Sequence, residues 1–162
     1  ARFDKKLLRY ISRFVFDINE AEDILQNVFI KTYSNLNGFN FQYKFSSWIY
    51  RIAHNEVVNY IRKVSKRKIT IIDWDVFFPI DVSKNKMSED FDKEKMEHWI
   101  KQNIKELDQK YKEVLALYYF ENMSYKDIAD ILKIPIATVG VRIKRAKNKI
   151  KSNYNKTTNN KK

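Results

Sequence analysis

The chain has 162 residues, with 32 Lys+Arg against 20 Asp+Glu and a net charge of +12. Hydrophobic residues make up 44% and aromatics 15%, enough to build a core, which excludes a fully disordered chain. Cys is 0 and the two histidines, His54 and His98, lie far apart, which excludes disulfides, zinc fingers, iron–sulfur clusters, cysteine nucleophiles and a histidine metal site.

There are 2 Gly and 2 Pro, where an average chain of this length would hold ~11 and ~8. A sheet-rich fold needs more turn residues than that, so the composition predicts an all-α protein. No apolar run approaches the ~18 residues of a membrane span, and no signal-peptide pattern opens the chain. The expected setting is cytoplasmic, and the excess positive charge calls for a polyanionic partner.

Residues 1–18 read as a helix, with Phe3, Leu7, Leu8, Ile11, Val15 and Ile18 at helical spacing. Asn19 is the expected cap of a second helix, with Glu20, Glu22 and Asp23 in its first turn, where carboxylates suit the dipole. Ile24, Val28, Phe29 and Tyr33 carry it forward, and Asn37-Gly38 ends it. In the next stretch Phe39, Phe41, Tyr43 and Phe45 alternate as a strand would, but a lone strand has no partner, so a loop displaying aromatics is expected.

Ser46 opens a long helix to about Lys66. Ile49, Ile52, Ala53, Val57, Tyr60 and Val64 line one side, and Trp48, Arg51, Asn55, Asn59 and Arg62 line the other. Glu56 falls on the apolar side without explanation in the sequence. Between residues 44 and 68 stand Lys44, Arg51, Arg62, Lys63, Lys66, Arg67 and Lys68, with Glu56 the only acid.

Residues 67–87 read as an acidic linker that also holds Ile69, Ile71, Ile72, Trp74, Phe77, Phe78 and Ile80. Two readings of these apolar groups stand: they pack on the chain's own domains, or they line a channel in a partner. From Ser88 to Leu107 the helical period returns, and Asp108 caps a further helix that runs through Tyr111, Val114, Leu115, Tyr118 and Tyr119 to Glu121.

The densest signal is Ser124 to Lys147. Ser124 and Asp127 form a capping box; Ile128, Ala129 and Leu132 give the inner face of a short helix. Lys133-Ile134-Pro135 turns the chain, and Val139, Ile143, Ala146 and Ile150 form the buried stripe of a second, basic helix. A short helix, a tight turn and a basic helix make a helix-turn-helix. After Asp130 there is no acid at all. The Asn- and Lys-rich end, 153–162, reads as a disordered basic tail.

Three stretches, Ala21–Phe29, Phe45–Asn55 and Ser124–Lys147, in this order, resemble the bacterial sigma factors of the extracytoplasmic-function group in the sigma-70 superfamily. The resemblance covers nearly the whole chain, and residue 1 falls just inside the first domain. It implies two small helical domains joined by an extended linker: residues 1–66 as region 2, 67–87 as linker, and 88–152 as region 4 with the helix-turn-helix. It implies binding to core RNA polymerase and promoter-directed initiation, with no enzymatic step and no cofactor.

By resemblance the minus-ten surface comprises the loop Asn37, Phe39, Phe41, Tyr43 and Lys44, and on the long helix Trp48, Arg51, His54, Asn55, Asn59, Arg62 and Lys63. Duplex melting without ATP requires tighter binding of the open strand, which stacking aromatics beside a basic groove supply. The face Glu22, Asp23, Gln26 and Asn27 is implied to dock on the clamp helices of the polymerase's largest subunit, with the flap region as a further polymerase contact; relatives usually carry Glu where Asn27 stands.

For the minus-thirty-five element the implied residues are Tyr125, Lys126, Ala137, Thr138, Val141, Arg142, Lys144, Arg145 and Lys147. Of these, Ala137, Thr138, Val141, Lys144 and Arg145 are expected outward on the second helix. Gly140 and Val141 stand where relatives place hydrogen-bonding side chains, whereas Arg142, Lys144, Arg145, Lys147, Lys149 and Lys151 suit phosphates. Upstream DNA is therefore expected to be held firmly and read poorly, with Arg145 and Thr138 the best remaining candidates for base contacts; the alternative is that Val141 and Arg145 suffice for a T-rich element. Promoter choice then rests on the minus-ten element or on a DNA-bound recruiting partner, an RNA-guided one included; an anti-sigma protein is a further expected partner. The competing reading, a helix-turn-helix regulator acting without polymerase, accounts for Ser124–Lys147 but leaves residues 20–63 unexplained. An enzyme acting on nucleic acid fails for want of a metal-ligand cluster or Gly-rich phosphate loop.

Overall fold

In the computed structural model the described residues are 3–64, 100 and 107–159. The expected linker 67–87, the helical stretch from Ser88 up to residue 106, and Lys66, Arg67 and Lys68 lie outside them, Ile100 excepted. The described helices fall into two compact units: α1 to α3 in one; α4, α6 and most of α5 in the other. No strand occurs among the described residues.

The first unit begins with α1, Asp4–Ile11. The single helix expected over residues 1–18 is broken, because the chain turns at Ser12 and re-enters a helix only after Asp17. Phe14 and Val15 continue the apolar spacing through this turn and are buried without being helical, which is why periodicity alone ran on. Asp17, not Asn19, caps α2, Ile18–Ser34: it sits in extended backbone and its Oδ1 accepts the Asn19 and Glu20 N–H groups at 2.9 and 3.2 Å. Asn35 closes α2 by donating its side-chain amide to the Lys31 carbonyl at 2.8 Å, and a short 3-10 turn, Leu36–Gly38, follows.

The aromatic stretch is a loop, as expected. Asn40 holds it, accepting the Gln42 N–H on Oδ1 at 2.9 Å and the Tyr43 N–H on its carbonyl at 3.0 Å. Then α3, Phe45–Val64, packs against α1 and α2. Ile49, Tyr50, Ala53 and Val57 meet Leu7, Tyr10, Ile11, Ile24 and Val28 in the core, and Tyr10 stands edge-on to Tyr50 at 5.4 Å. Glu56 has its reason here: Lys31 of α2 donates to its Oε1 at 2.6 Å, tying α2 to α3.

The second unit is built on α4, Gln109–Leu115, which packs on α6. Its core joins Ile100, Leu107, Tyr111, Leu115 and Tyr119 to Ala146 and Ile150. Asp108 occupies the cap position of α4, but its side chain makes no capping bond; instead it accepts Lys149 Nζ from α6 at 2.8 Å. A π-helical turn, Ala116–Phe120, widens the end of α4, and the chain reverses through Asn122 at φ 52°.

The capping box opens α5, Tyr125–Leu132. Asp127 N–H donates to Ser124 Oγ at 3.2 Å while the Ser124 hydroxyl donates to Asp127 Oδ2 at 2.6 Å. Its buried residues are Ile128 and Ile131, with Ala129 and Leu132 half-buried. Lys133 makes the turn at φ 55°, and α6 runs Ile136–Asn159. The predicted stripe Val139, Ile143, Ala146 and Ile150 is fully inside. The helix passes well beyond residue 152, so the stretch expected to be a disordered tail is helical as far as Asn159. No described helix is long and apolar enough to cross a membrane, and no cluster of metal-ligating side chains forms among the described residues.

Candidate nucleic-acid interface

In the first unit the structure divides the aromatic loop in two. Phe39 is buried and packs on Trp48 at 4.9 Å and edge-on to Phe45 at 5.6 Å. Trp48 is half-buried and completes the triangle with Phe45 at 5.5 Å. Phe41 is 88% exposed and Tyr43 60%, with Phe41 standing edge-on to Phe39 at 5.2 Å. Two rings are thus anchored and two are offered to solvent, beside exposed Asn37 and Lys44.

Along α3, Asn55, Asn59, Arg62 and Lys63 are exposed, while Arg51 and His54 are half-buried. Burial pushes His54 down to about 4, so near neutral pH it carries no charge. The result is a face of amides and guanidinium groups leading to a pair of exposed rings. That combination suits a polyanion whose bases are free to stack.

On α2, Glu22, Asp23, Gln26 and Asn27 are all exposed. Ile30 and Tyr33, 62% and 83% exposed, continue the same side of the helix and were missed in the sequence reading. The spacing Asp23, Gln26, Ile30, Tyr33, at steps of three and four, was the available signal.

The second unit corrects the outward assignment on α6. Thr138 and Val141 are each 5% exposed and Arg142 4%. Every residue from Thr138 to Ile143 is buried. A stripe argument gives the core one side of a helix, but a run longer than 3.6 residues passes through all sides, so the buried run includes positions opposite the predicted stripe. Burial also lowers the basicity of Arg142.

What stays exposed is Lys126, Ala137 and Lys144, with Tyr125, Arg145 and Lys147 half-buried. Tyr125 stands against Tyr118 at 5.3 Å, and the Lys147 ammonium lies 6.0 Å from the centre of the Tyr119 ring. Lys149, read as a phosphate contact, is held by Asp108 and lies 4.8 Å from the centre of the Tyr111 ring. Asn148, four residues after Lys144, is exposed on the same side, and the sequence reading passed over it.

Comparison with known proteins sets this geometry in a family. Residues 1–67 match the sigma-70 region 2 model and residues 98–150 the sigma-70 region 4 model. The chain is 34% identical over 155 residues to the RNA polymerase sigma-H factor of Pseudomonas aeruginosa, covering 92% of this chain and 80% of that one. It is 33% identical over 153 residues to the ECF RNA polymerase sigma factor SigW of Bacillus subtilis, covering 90% and 81%. Its fold is similar to that of CnrH in complex with the cytosolic domain of CnrY, with a TM-score of 0.68 and 20% identity over 96% of this chain and 84% of that one. It is similar also to the sigma factor RpoE bound to the anti-sigma factor NepR from Bartonella quintana, at a TM-score of 0.65 and 20% identity over 91% and 89%. The chain belongs to the sigma-70 family, in its extracytoplasmic-function group: it is a sigma factor that directs promoter-specific transcription with core RNA polymerase.

Proposed function

We propose that the first unit opens the minus-ten element by stacking unpaired bases on Phe41 and Tyr43, with Arg51, Asn55 and Asn59 of α3 bearing on the edge of the remaining duplex. The observation that carries this reading is the exposure of Phe41 and Tyr43 on a loop anchored by the buried Phe39, which packs on Phe41, Phe45 and Trp48. Exposed aromatic rings lose contact with water on stacking, and each stacked base contributes about 1–3 kcal/mol. A strand with bases held this way is favoured over a closed duplex, which offers no free base faces. Phe39 and Trp48 then act by holding the loop, and Phe41 and Tyr43 by touching DNA.

In the same reading the exposed face of α2 docks on the clamp helices of the polymerase's largest subunit, and the second unit binds upstream DNA near the flap region. Residues 1–66 and 88–152 act as the working domains and 67–87 as their linker. With Thr138 and Val141 buried, the first turn of α6 offers only Ile136 and Ala137, which make no hydrogen bonds to bases. Upstream DNA is then gripped through phosphates by Lys126 and Lys144, and selectivity comes from the minus-ten element or from a DNA-bound recruiting partner, RNA-guided or otherwise. An anti-sigma protein is a further partner, as one structural neighbour is held by such a factor. The setting is cytoplasmic.

The test is reconstitution with core polymerase on promoters mapped by transcript sequencing, followed by permanganate footprinting of promoter thymines. Phe41→Ala with Tyr43→Ala is expected to abolish thymine reactivity while the complex with core polymerase persists. Full reactivity in that variant refutes the stacking role.

A further inference from the structure

α6 is 24 residues long, and only part of it is exposed. From Thr138 to Ile143 it is buried and presents no side chain to a groove. Exposure returns at Lys144 and again at Asn148, with Lys151 half-buried. At 3.6 residues per turn these three, spaced by four and then three, share one side of the helix. Ala146 and Ile150 lie on the other side, in the core with Tyr111 and Leu115 of α4. Lys147, half-buried, borders the exposed side, while Lys149 sits on the flank that Asp108 holds. No acid follows Asp130 in the chain, so nothing on this side of α6 repels a phosphate.

The residue types on this side are uneven. A solvated side needs only charge, and lysine supplies it while forming helix better than asparagine does. Asn148 adds what no lysine has, an acceptor and a pair of donors on one planar head. Adenine presents the matching pair in the major groove, N7 as acceptor and the N6 amino group as donor, and asparagine meets both at once. One way for a long helix to read that groove uses side chains at i, i+3, i+4 and i+7, with an asparagine at i+4 on adenine. Lys144, Lys147, Asn148 and Lys151 fill those positions in that order.

We propose that α6 meets upstream DNA with its middle rather than its first turns, and that Asn148 reads an adenine there. The inference rests on the reading above that the second unit binds upstream DNA. From Lys144 to Lys151 the helix advances about 10 Å, the length of about three base pairs. The ammonium groups of Lys144 and Lys151 take phosphates, which set the position of the helix, and the amide between them carries the specificity. A single base pair is thus read within a surface that otherwise grips the backbone.

The experiment forms the complex of the full chain with core polymerase on a promoter library randomised upstream of the minus-ten element, and sequences the DNA retained. The parent is expected to enrich adenine at one upstream position of one strand. Asn148→Ala is expected to lose that preference by about 5- to 150-fold, with preferences elsewhere and thermal unfolding unchanged. A parent that enriches no adenine upstream, or an Asn148→Ala variant that keeps the preference, overturns the assignment. So does a uniform loss over all sequences in that variant, which makes Asn148 a phosphate contact. The double variant Lys144→Ala, Lys151→Ala separates this inference from the reading beneath it. If its log affinity for upstream DNA falls less steeply with log salt, by about 2, upstream binding by α6 stands even where Asn148 fails. An unchanged slope removes upstream binding by this side of α6, and the base contact with it.

Discussion

In the first unit the loop after α2, anchored by the buried Phe39, lifts Phe41 and Tyr43 into solvent, whereas in the second unit the first turns of α6 are buried from Thr138 to Ile143. The contrast extends to the cations. Among the described residues Lys5, Lys6 and Arg9 of α1 meet no acid, but Lys149 of α6 is held by Asp108, and Lys147 lies near Tyr119. Both units belong to one DNA-directed protein, and both are basic. Net charge therefore says little about which lysines face a partner; the partners they already have inside the unit decide it.

The largest effect that would break this contrast lies within the loop. Phe39→Ala empties a site enclosed by Trp48, Phe45 and Phe41 and is expected to destabilise the first unit by about 3–5 kcal/mol. Phe41→Ala removes a ring that solvent already surrounds, so urea unfolding should barely move. Its loss belongs in promoter opening, lower by about 5- to 150-fold if one base stack of about 1–3 kcal/mol is lost. Equal destabilisation by the two variants would show that the loop is one core cluster and offers no free rings. Trp48→Ala falls between them, since that ring is half-buried, and its effect on opening carries a stability component that Phe41→Ala lacks.

A second test uses acid, to which the units should respond with opposite signs. His54 in the first unit titrates near 4 when folded and near 6.5 when unfolded, because burial disfavours its charged form. Its contribution is present above pH 6.5 and is lost as pH falls toward 4. Glu113 in the second unit is pushed up to about 7 by burial, against 4.5 unfolded, despite a hydrogen bond from Gln109 at 3.0 Å that favours its charged form. Its contribution is present below pH 4.5 and is lost as pH rises through 7. Hydrogen exchange on the full chain, read separately on α3 and α6, should show α3 loosening and α6 tightening between pH 7 and pH 5. His54→Gln and Glu113→Gln should each flatten only their own profile.

The elements legible in the sequence were those fixed by near neighbours. The capping box needs only Ser124 and Asp127, and the two sides of α3 follow from steps of three and four. What escaped was set by residues distant in the chain. Glu56 looked like an error until Lys31, 25 residues away, reached it, and Asp108 gave up its cap to Lys149 across 41 residues. Phe39 and Phe41 share the alternating pattern, so nothing local tells the anchored ring from the free one; Trp48 and Phe45 decide it by packing on Phe39. The outward placement of Thr138 and Val141 failed for the same reason, as a wheel drawn on one helix assumes one covered side.

Among the cations, Lys144→Ala should make upstream DNA binding less steep in salt by about 1, the share of a single phosphate, and weaken it equally on all sequences. Lys149→Ala should leave that slope unchanged, because its ammonium is already committed to Asp108 and Tyr111. If Lys149→Ala lowers the slope as much as Lys144→Ala does, the internal partner of Lys149 does not withhold it from DNA, and the contrast between the units loses its electrostatic half.

The smallest effect sharpens the contrast on the backbone side. Lys133 turns the chain between α5 and α6 with φ 55°, a conformation in which a Cβ crowds the following carbonyl. Asn122 does the same at φ 52°, but Asn tolerates that region through local hydrogen bonding, whereas Lys has no such compensation. Its side chain is exposed, so replacing it disturbs no core contact. Lys133→Gly therefore relieves strain and loses little else, and the turn between α5 and α6 is expected to gain about 1 kcal/mol, reduced by the extra freedom of glycine in the unfolded chain. Lys133→Asn should gain part of the same amount. Denaturant unfolding followed on α6 measures both. A loss of stability in Lys133→Gly would show that the lysine side chain contributes more to this turn than its backbone strain costs, and the turn would then be held by side-chain contacts, as the loop around Phe39 is.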